Sequence, residues 1–184
     1  MGQAIAAVAG KGGHTVQRTY EQLAVVCHSH GIAQEIQWAA PLCGRALLDL
    51  GDTKRGLRVL EEGLAAHTIT RSTLLRPYYF LLLAGALLRV QEHTRAQRAL
   101  DDARAVAIAT EQNAYASEHA RLQAELFAAT GRLAEAEQTY VDALTAARLQ
   151  GALWLELRAA RAFANFLAAF GRTDEARQTL LPVW

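Results

Sequence analysis

The sequence predicts an all-α solenoid of antiparallel helix hairpins, and three observations carry that prediction. The first is a fixed repeat: Gly131-Arg132-Leu133-Ala134-Glu135-Ala136 is echoed by Gly171-Arg172-Thr173-Asp174-Glu175-Ala176, and earlier copies start at Gln91 and Gly51, each 40 residues from the next. The second is a size code around each turn. Seven residues before it stand Gly44, Ala84, Ala124 and Ala164, and five after it Gly56, Ala96, Ala136 and Ala176. These small residues let two helices approach closely, while Leu47, Leu87, Phe127 and Leu167, with Leu60, Leu100, Tyr140 and Leu180, fill the space beside them. The third is composition: Ala, Leu, Arg, Glu and Gln dominate, and only three prolines occur in 184 residues.

Taken in order, residues 1 to 10 read as the tail of a helix ended by Gly10 and the Lys11-Gly12-Gly13 turn. Thr15 is a fair N-cap for a second helix, whose apolar stripe of Val16, Tyr20, Leu23 and Cys27 runs to Gly31. The second repeat has helices from about Ala33 to Leu50 and Thr53 to His67, with a kink expected at Pro41, which has no N–H for the carbonyl of Gln37. The third runs Ser72 to Val90 and Thr94 to Thr110, with Pro77 near its first turn; Gln91 stands where a turn glycine is usual. The fourth runs Ala114 to Thr130 and Ala134 to Gln150, and the fifth Ala152 to Phe170 and Thr173 to about Leu181. The whole chain is thus one array, with an incomplete repeat at 1–31 and repeats at about 32–71, 72–111, 112–151 and 152–184. A hairpin cannot bury both faces alone, so the array reads as a piece of a longer solenoid.

Hydrophobic residues form 52% of the chain, enough for a core, and 19 Lys and Arg against 18 Asp and Glu leave a formal charge of +1. No global field recruits nucleic acid or an anionic membrane. Cys27 and Cys43 have no disulfide or zinc-knuckle spacing, and the longest apolar run, Tyr78 to Leu88, is too short to span a bilayer. A cytoplasmic protein is expected.

The small-large order around a Gly turn resembles the tetratricopeptide repeat (TPR), with a longer period, which implies a TPR-like right-handed superhelix. More specifically, Trp38-Ala39, Gly63-Leu64-Ala65-Ala66, Arg76-Pro77-Tyr78, Ala136-Glu137, Ala143-Leu144, Leu155 to Ala160, Asp174 to Arg177 and Leu180 to Val183 look like the C-terminal array of bacterial adenylate or guanylate cyclase and signal-transduction ATPase fusion proteins, over roughly residues 20 to 184. That resemblance implies a sensor or scaffold lying after catalytic modules. None of those modules is legible here: Gly10-Lys11-Gly12-Gly13 lacks the second Gly-Lys-Ser/Thr of a P-loop.

In a TPR-like superhelix the first helix of each pair lines the concave face, and repeat register places Trp38, Arg45, Asp49, Tyr78, Arg89, Glu118, Arg121, Glu125, Arg158, Arg161 and Asn165 there. Arg45, Arg121, Arg158 and Arg161 together match an acidic peptide or its terminal carboxylate, which guanidinium groups grip in bidentate fashion. The competing reading is that they are solvated charges pairing along their own helices, as Glu118, Arg121 and Glu125 can. His28 and His30 point to opposite sides of a helix and make no metal site with Cys27. Trp154 and Trp184 read as hairpin packing, and Tyr115, Ser117 and His119 form no nucleophile–base pair. No cofactor, metal or catalytic residue is expected. The sequence therefore points to a non-catalytic scaffold that binds a protein, a peptide or an intramolecular ATPase or cyclase module. A small-ligand sensor and a homodimerising module are the alternatives.

Overall fold

The computed structural model describes residues 33–69 and 75–183, with backbone alone at 33–38 and 67–69. It also describes Thr15, Arg18, Thr19, Glu21, Gln22, Val25 and Ser29, each helical. The expected N-terminal stub, and the helix after Thr15 beyond those seven positions, lie outside the described residues, as do Cys27, His28, His30 and Trp184.

Eight helices follow one another: α1 (Ala33–Asp49), α2 (Thr53–Ile69), α3 (Arg76–Arg89), α4 (His93–Ala109), α5 (Ala116–Ala129), α6 (Leu133–Leu149), α7 (Leu153–Ala169) and α8 (Thr173–Leu180), with a 3₁₀ turn at Leu181–Val183. No strand occurs among the described residues. The helices pair as four hairpins, and the first helices, α1, α3, α5 and α7, also contact one another along the array.

The hairpin turns are near copies at the level of the backbone. Gly51, Gly131 and Gly171 adopt left-handed φ angles of 90°, 80° and 75°. The next residue's N–H then reaches back to the carbonyl of Leu47, Phe127 or Leu167, which closes the helix end. Gln91 does the same with a side chain, at φ 60°, and Glu92 N–H donates to the Leu87 carbonyl at 3.0 Å. The packing of the flanking helices thus imposes the glycine conformation on a residue that pays steric strain to adopt it.

Two helix starts differ from the sequence expectation by more than one residue. Helix α3 begins at Arg76 rather than Ser72, after Leu75 in a left-handed conformation, and Pro77 consequently sits in its first turn, where a missing N–H is tolerated. Helix α5 begins at Ala116 rather than Ala114. Pro41 lies inside a continuous α1. Its ring is buried beside Gly63 of α2, where an added Cβ would come within 3.0 Å of the ring Cδ.

The size code sets the helix crossing. In the first hairpin glycine faces glycine: a Cβ on Gly44 would lie 2.8 Å from the Gly56 carbonyl oxygen, and one on Gly56 would lie 2.8 Å from that of Gly44. The other hairpins carry buried alanine at both positions. The buried core forms three clusters along the array, one with Leu60, Tyr79 and Leu82, one with Leu100 and Leu122, and one with Tyr140, Phe163 and Phe166. The three last rings pack at centroid distances of 5.4 to 6.4 Å. Trp154 is a correction: it is 68% exposed rather than packed in a hairpin. The short connection through Gly151 starts α7 early, so its first turn, with Leu153 also exposed, stands clear of the core.

Charged pairs run along the second helices from one hairpin to the next. Arg55 of α2 reaches Glu21 at 3.3 Å, Arg95 of α4 pairs with Glu61 of α2, and Arg172 ahead of α8 holds Glu137 of α6 through two bonds of 2.7 Å. At the step from α4 to α6 the positions matching Glu61 and Arg95 carry Asp101 and Glu135, both acidic. There Glu135 turns to Arg132 instead, and the two hairpins are joined by amide bonds between Gln97 and Gln123.

Candidate functional site

A groove of about 360 Å³ runs across the array, and every described residue lining it belongs to α1, α3, α5 or α7. Leu48, Leu81, Leu82 and Leu122 form part of its floor, with Gly85 and Ala86 keeping it open. Charge comes from Arg45 of α1, Arg89 of α3, Glu118, Arg121 and Glu125 of α5, and Arg158 and Arg161 of α7.

The charges are ordered by a network centred on Glu118, which is almost fully buried. Arg121 donates to both its carboxylate oxygens, Nε to Oε2 and Nη2 to Oε1, each at 2.8 Å, and turns Nη1 to Glu125. Arg158, one hairpin further, donates Nη2 to Glu118 Oε1 at 2.7 Å. At the other end Asp49 accepts from Arg45 Nε at 2.9 Å and from Arg89 at 3.3 Å. Burial opposes the charge on Arg121, which is 8% exposed, but its bonds to Glu118 and the nearby Glu125 charge outweigh that, and its pKa rises above the usual guanidinium value. Arg158 shifts the other way: burial lowers its pKa, Glu118 offsets part of this, and Arg121 and Arg45 add repulsion. Both remain cations at neutral pH, since arginine titrates far above it.

Among the described residues, five guanidinium groups therefore meet three carboxylates, Asp49, Glu118 and Glu125, which leaves two positive charges in excess. Arg161, on the exposed rim, makes no ion pair among the described residues. The groove contains donors for anions and no nucleophile paired with a base.

Of the residues that sequence register places on the concave face, Arg45, Asp49, Arg89, Glu118, Arg121, Glu125, Arg158 and Arg161 come together in this groove. Tyr78 adjoins it. Burial raises its phenol pKa, and the charges of Arg158, Arg45 and Glu118 act on it. Asn165 does not join them; it is exposed and borders a separate hollow between α7 and α8 with Ala168, Arg177 and Leu181. The side chain of Trp38 lies outside the described residues. Sequence reasoning anticipated the pairs within α5 but missed those between hairpins. The signal was present: Asp49 and Arg89, and Glu118 and Arg158, are opposite charges one period apart, at equal register on neighbouring first helices.

No protein-family model and no curated protein sequence matches the chain. Solved structures do match in fold. Two crystal structures of a kinesin light chain candidate from Podosopora anserina, built of nearly identical TPR-like repeats, superpose with TM-scores of 0.61 and 0.58 at 17% identity, covering 96% of this chain and 92% of theirs. A MamA fragment (residues 41 to the end) from Desulfovibrio magneticus RS-1 superposes with a TM-score of 0.52 at 15% identity, covering 91% of this chain and 93% of that one. The fold is a TPR-like helical repeat array.

Proposed function

We propose that the chain is a non-catalytic interaction scaffold that holds an acidic segment of a partner protein in the groove of its first helices. The observation that carries this reading is the excess of guanidinium groups over carboxylates in an open groove, with Arg161 unpaired at the rim. The buried Glu118–Arg121–Arg158 network fixes the direction of the donors in advance, so little ordering is left for the binding step. The partner is either a separate protein or an ATPase or cyclase module of the kind that precedes such arrays in the fusion proteins this sequence resembles. An enclosed apolar pocket on this face would have favoured a small-ligand sensor; the groove is open, and its walls are charged.

The test is fluorescence anisotropy with a short labelled Glu-rich peptide and its Gln-substituted twin. The acidic peptide binds and the twin does not, and binding weakens with added salt. Arg161→Ala weakens it about tenfold, the equivalent of one charge-assisted hydrogen bond, without unfolding the protein, because Arg161 is exposed. Equal binding of the two peptides, or indifference to Arg161→Ala, overturns the reading.

A further inference from the structure

A second concavity, of about 330 Å³, lies away from the groove under the connection between α4 and α5. Its walls are mostly apolar, with Leu81 of α3 and Ala103, Ala107 and Ile108 of α4, and Tyr115 and His119 close the far side. Ile108 is 67% exposed at the mouth. This size is at the lower end of the range for small-molecule sites, roughly 300 to 1,000 Å³.

Two residues lining the hollow depart from the repeat. One period to either side of Arg104 stand Leu64 and Leu144, both buried in the core. One period to either side of His119 stand Tyr79 and Ala159, also buried. At the following hairpin junction the three-residue connection lets α7 start early, and Glu156 in its first turn pairs with Arg148 at 2.7 Å. At the hollow α5 starts at Ala116, one full period after the start of α3 at Arg76, and Arg104 takes the leucine position. Arg104 is exposed and makes no ion pair among the described residues.

Among the described residues, Arg104 is also the one charged residue lining the hollow. His119 adds none at neutral pH: burial lowers its pKa, the Arg104 charge lowers it further, and the Leu100 carbonyl bond and Asp101 only partly oppose this. Its Nε2–H donates to the Leu100 carbonyl at 3.0 Å, which fixes the ring. A lone guanidinium at the mouth of an apolar hollow complements a molecule with a single anionic head and an apolar body. We propose that this hollow is a binding site for a small monocarboxylic acid with an aromatic or medium-length aliphatic body, its carboxylate held by Arg104. The proposal does not depend on the charged groups of the groove, although the two concavities share Leu81 as a wall, and Tyr115 stacks on Tyr78 at a centroid distance of 4.6 Å.

The test is isothermal titration of the 184-residue chain with 3-phenylpropionate and octanoate, each beside its neutral primary amide. At least one acid binds, and its amide binds about tenfold or more weakly. Arg104→Leu, which restores the residue of the flanking repeats, abolishes binding while the melting temperature stays level or rises; Arg104→Gln, which keeps the shape of the mouth, weakens it by a similar factor. Arg161→Ala leaves the affinity unchanged. The proposal is overturned if neither acid binds, if acid and amide bind alike, if both Arg104 variants retain affinity, or if Arg161→Ala removes it, which would place the acid in the groove.

Discussion

Replacing Gly44 by alanine separates two lines of reasoning that predict opposite outcomes. Judged by the repeat, the change is benign: the three other hairpins carry Ala84, Ala124 and Ala164 at this position, and alanine is favoured over glycine in a helix by about 1 kcal/mol. Judged by geometry, it is harmful. The new methyl would sit 2.8 Å from the Gly56 carbonyl oxygen and 2.8 Å from Leu60 Cγ, both far inside contact distance. Backbone cannot rotate out of the way as a side-chain tip can, so α1 and α2 must separate or tilt. Overpacking of a tight core costs roughly 1 to 3 kcal/mol, and with a backbone atom opposing the methyl the upper half of that range applies. After subtracting the propensity gain, the net loss is about 1 to 2 kcal/mol, which lowers the thermal midpoint by roughly 2 to 8 °C. Gly56→Ala mirrors it, since its methyl meets the Gly44 carbonyl oxygen at the same distance. The double variant loses less than the sum of the singles, because helices already pushed apart by one methyl have room for the other. Urea and thermal unfolding followed by circular dichroism measure all three. A Gly44→Ala protein as stable as the parent, or more so, would refute the close-approach reasoning.

Gln91→Gly relieves a left-handed side-chain residue and stabilises the protein by about 0.5 to 1 kcal/mol, less than the full strain because glycine also loosens the unfolded chain; an unchanged or lower urea midpoint counts against strain at that turn. His119 has a folded pKa below its ordinary value of 6.5, so the unfolded chain binds the proton more readily, and the contribution of this residue to stability is full above about pH 6.5 and is lost as pH falls from there through the folded pKa. Thermal midpoints measured from neutral to mildly acidic pH should fall less steeply in His119→Gln than in the parent, and parallel curves would rule that histidine out.

The array was legible because its causes are local and repeated. A left-handed turn selects Gly51, Gly131 and Gly171, and close crossing selects small residues at 44, 56, 84 and 96; both leave marks at a fixed interval. What stayed hidden depends on context that no interval records. At Gln91 the fold overrides the preference of the residue itself. Trp154 reads as a packing residue until the early start of α7 carries it past the core. The groove was legible as a set of positions, but its electrostatic order was not, since Glu118 joins Arg158 only once neighbouring first helices are laid side by side. Asn165 shows the limit of register transfer: as the array reaches its last described hairpin, the same helix face borders a different hollow. The departure at Arg104 could have been found by comparing it with Leu64 and Leu144, because one hydrophilic residue in a leucine column is itself a signal.

The run of ion pairs along the second helices has one gap, between α4 and α6, where Asp101 and Glu135 replace a matched pair. In elastic terms the solenoid is a leaf spring clamped at its outer joints and left unclamped at an inner one. Flexing the inner joint on that side breaks no salt bridge among the described residues, whereas flexing its neighbours must open Arg95 from Glu61 or Arg172 from Glu137. That joint also holds the hollow beside Arg104, and Leu81 of α3 lines both the hollow and the groove, so a bend there reshapes the two together.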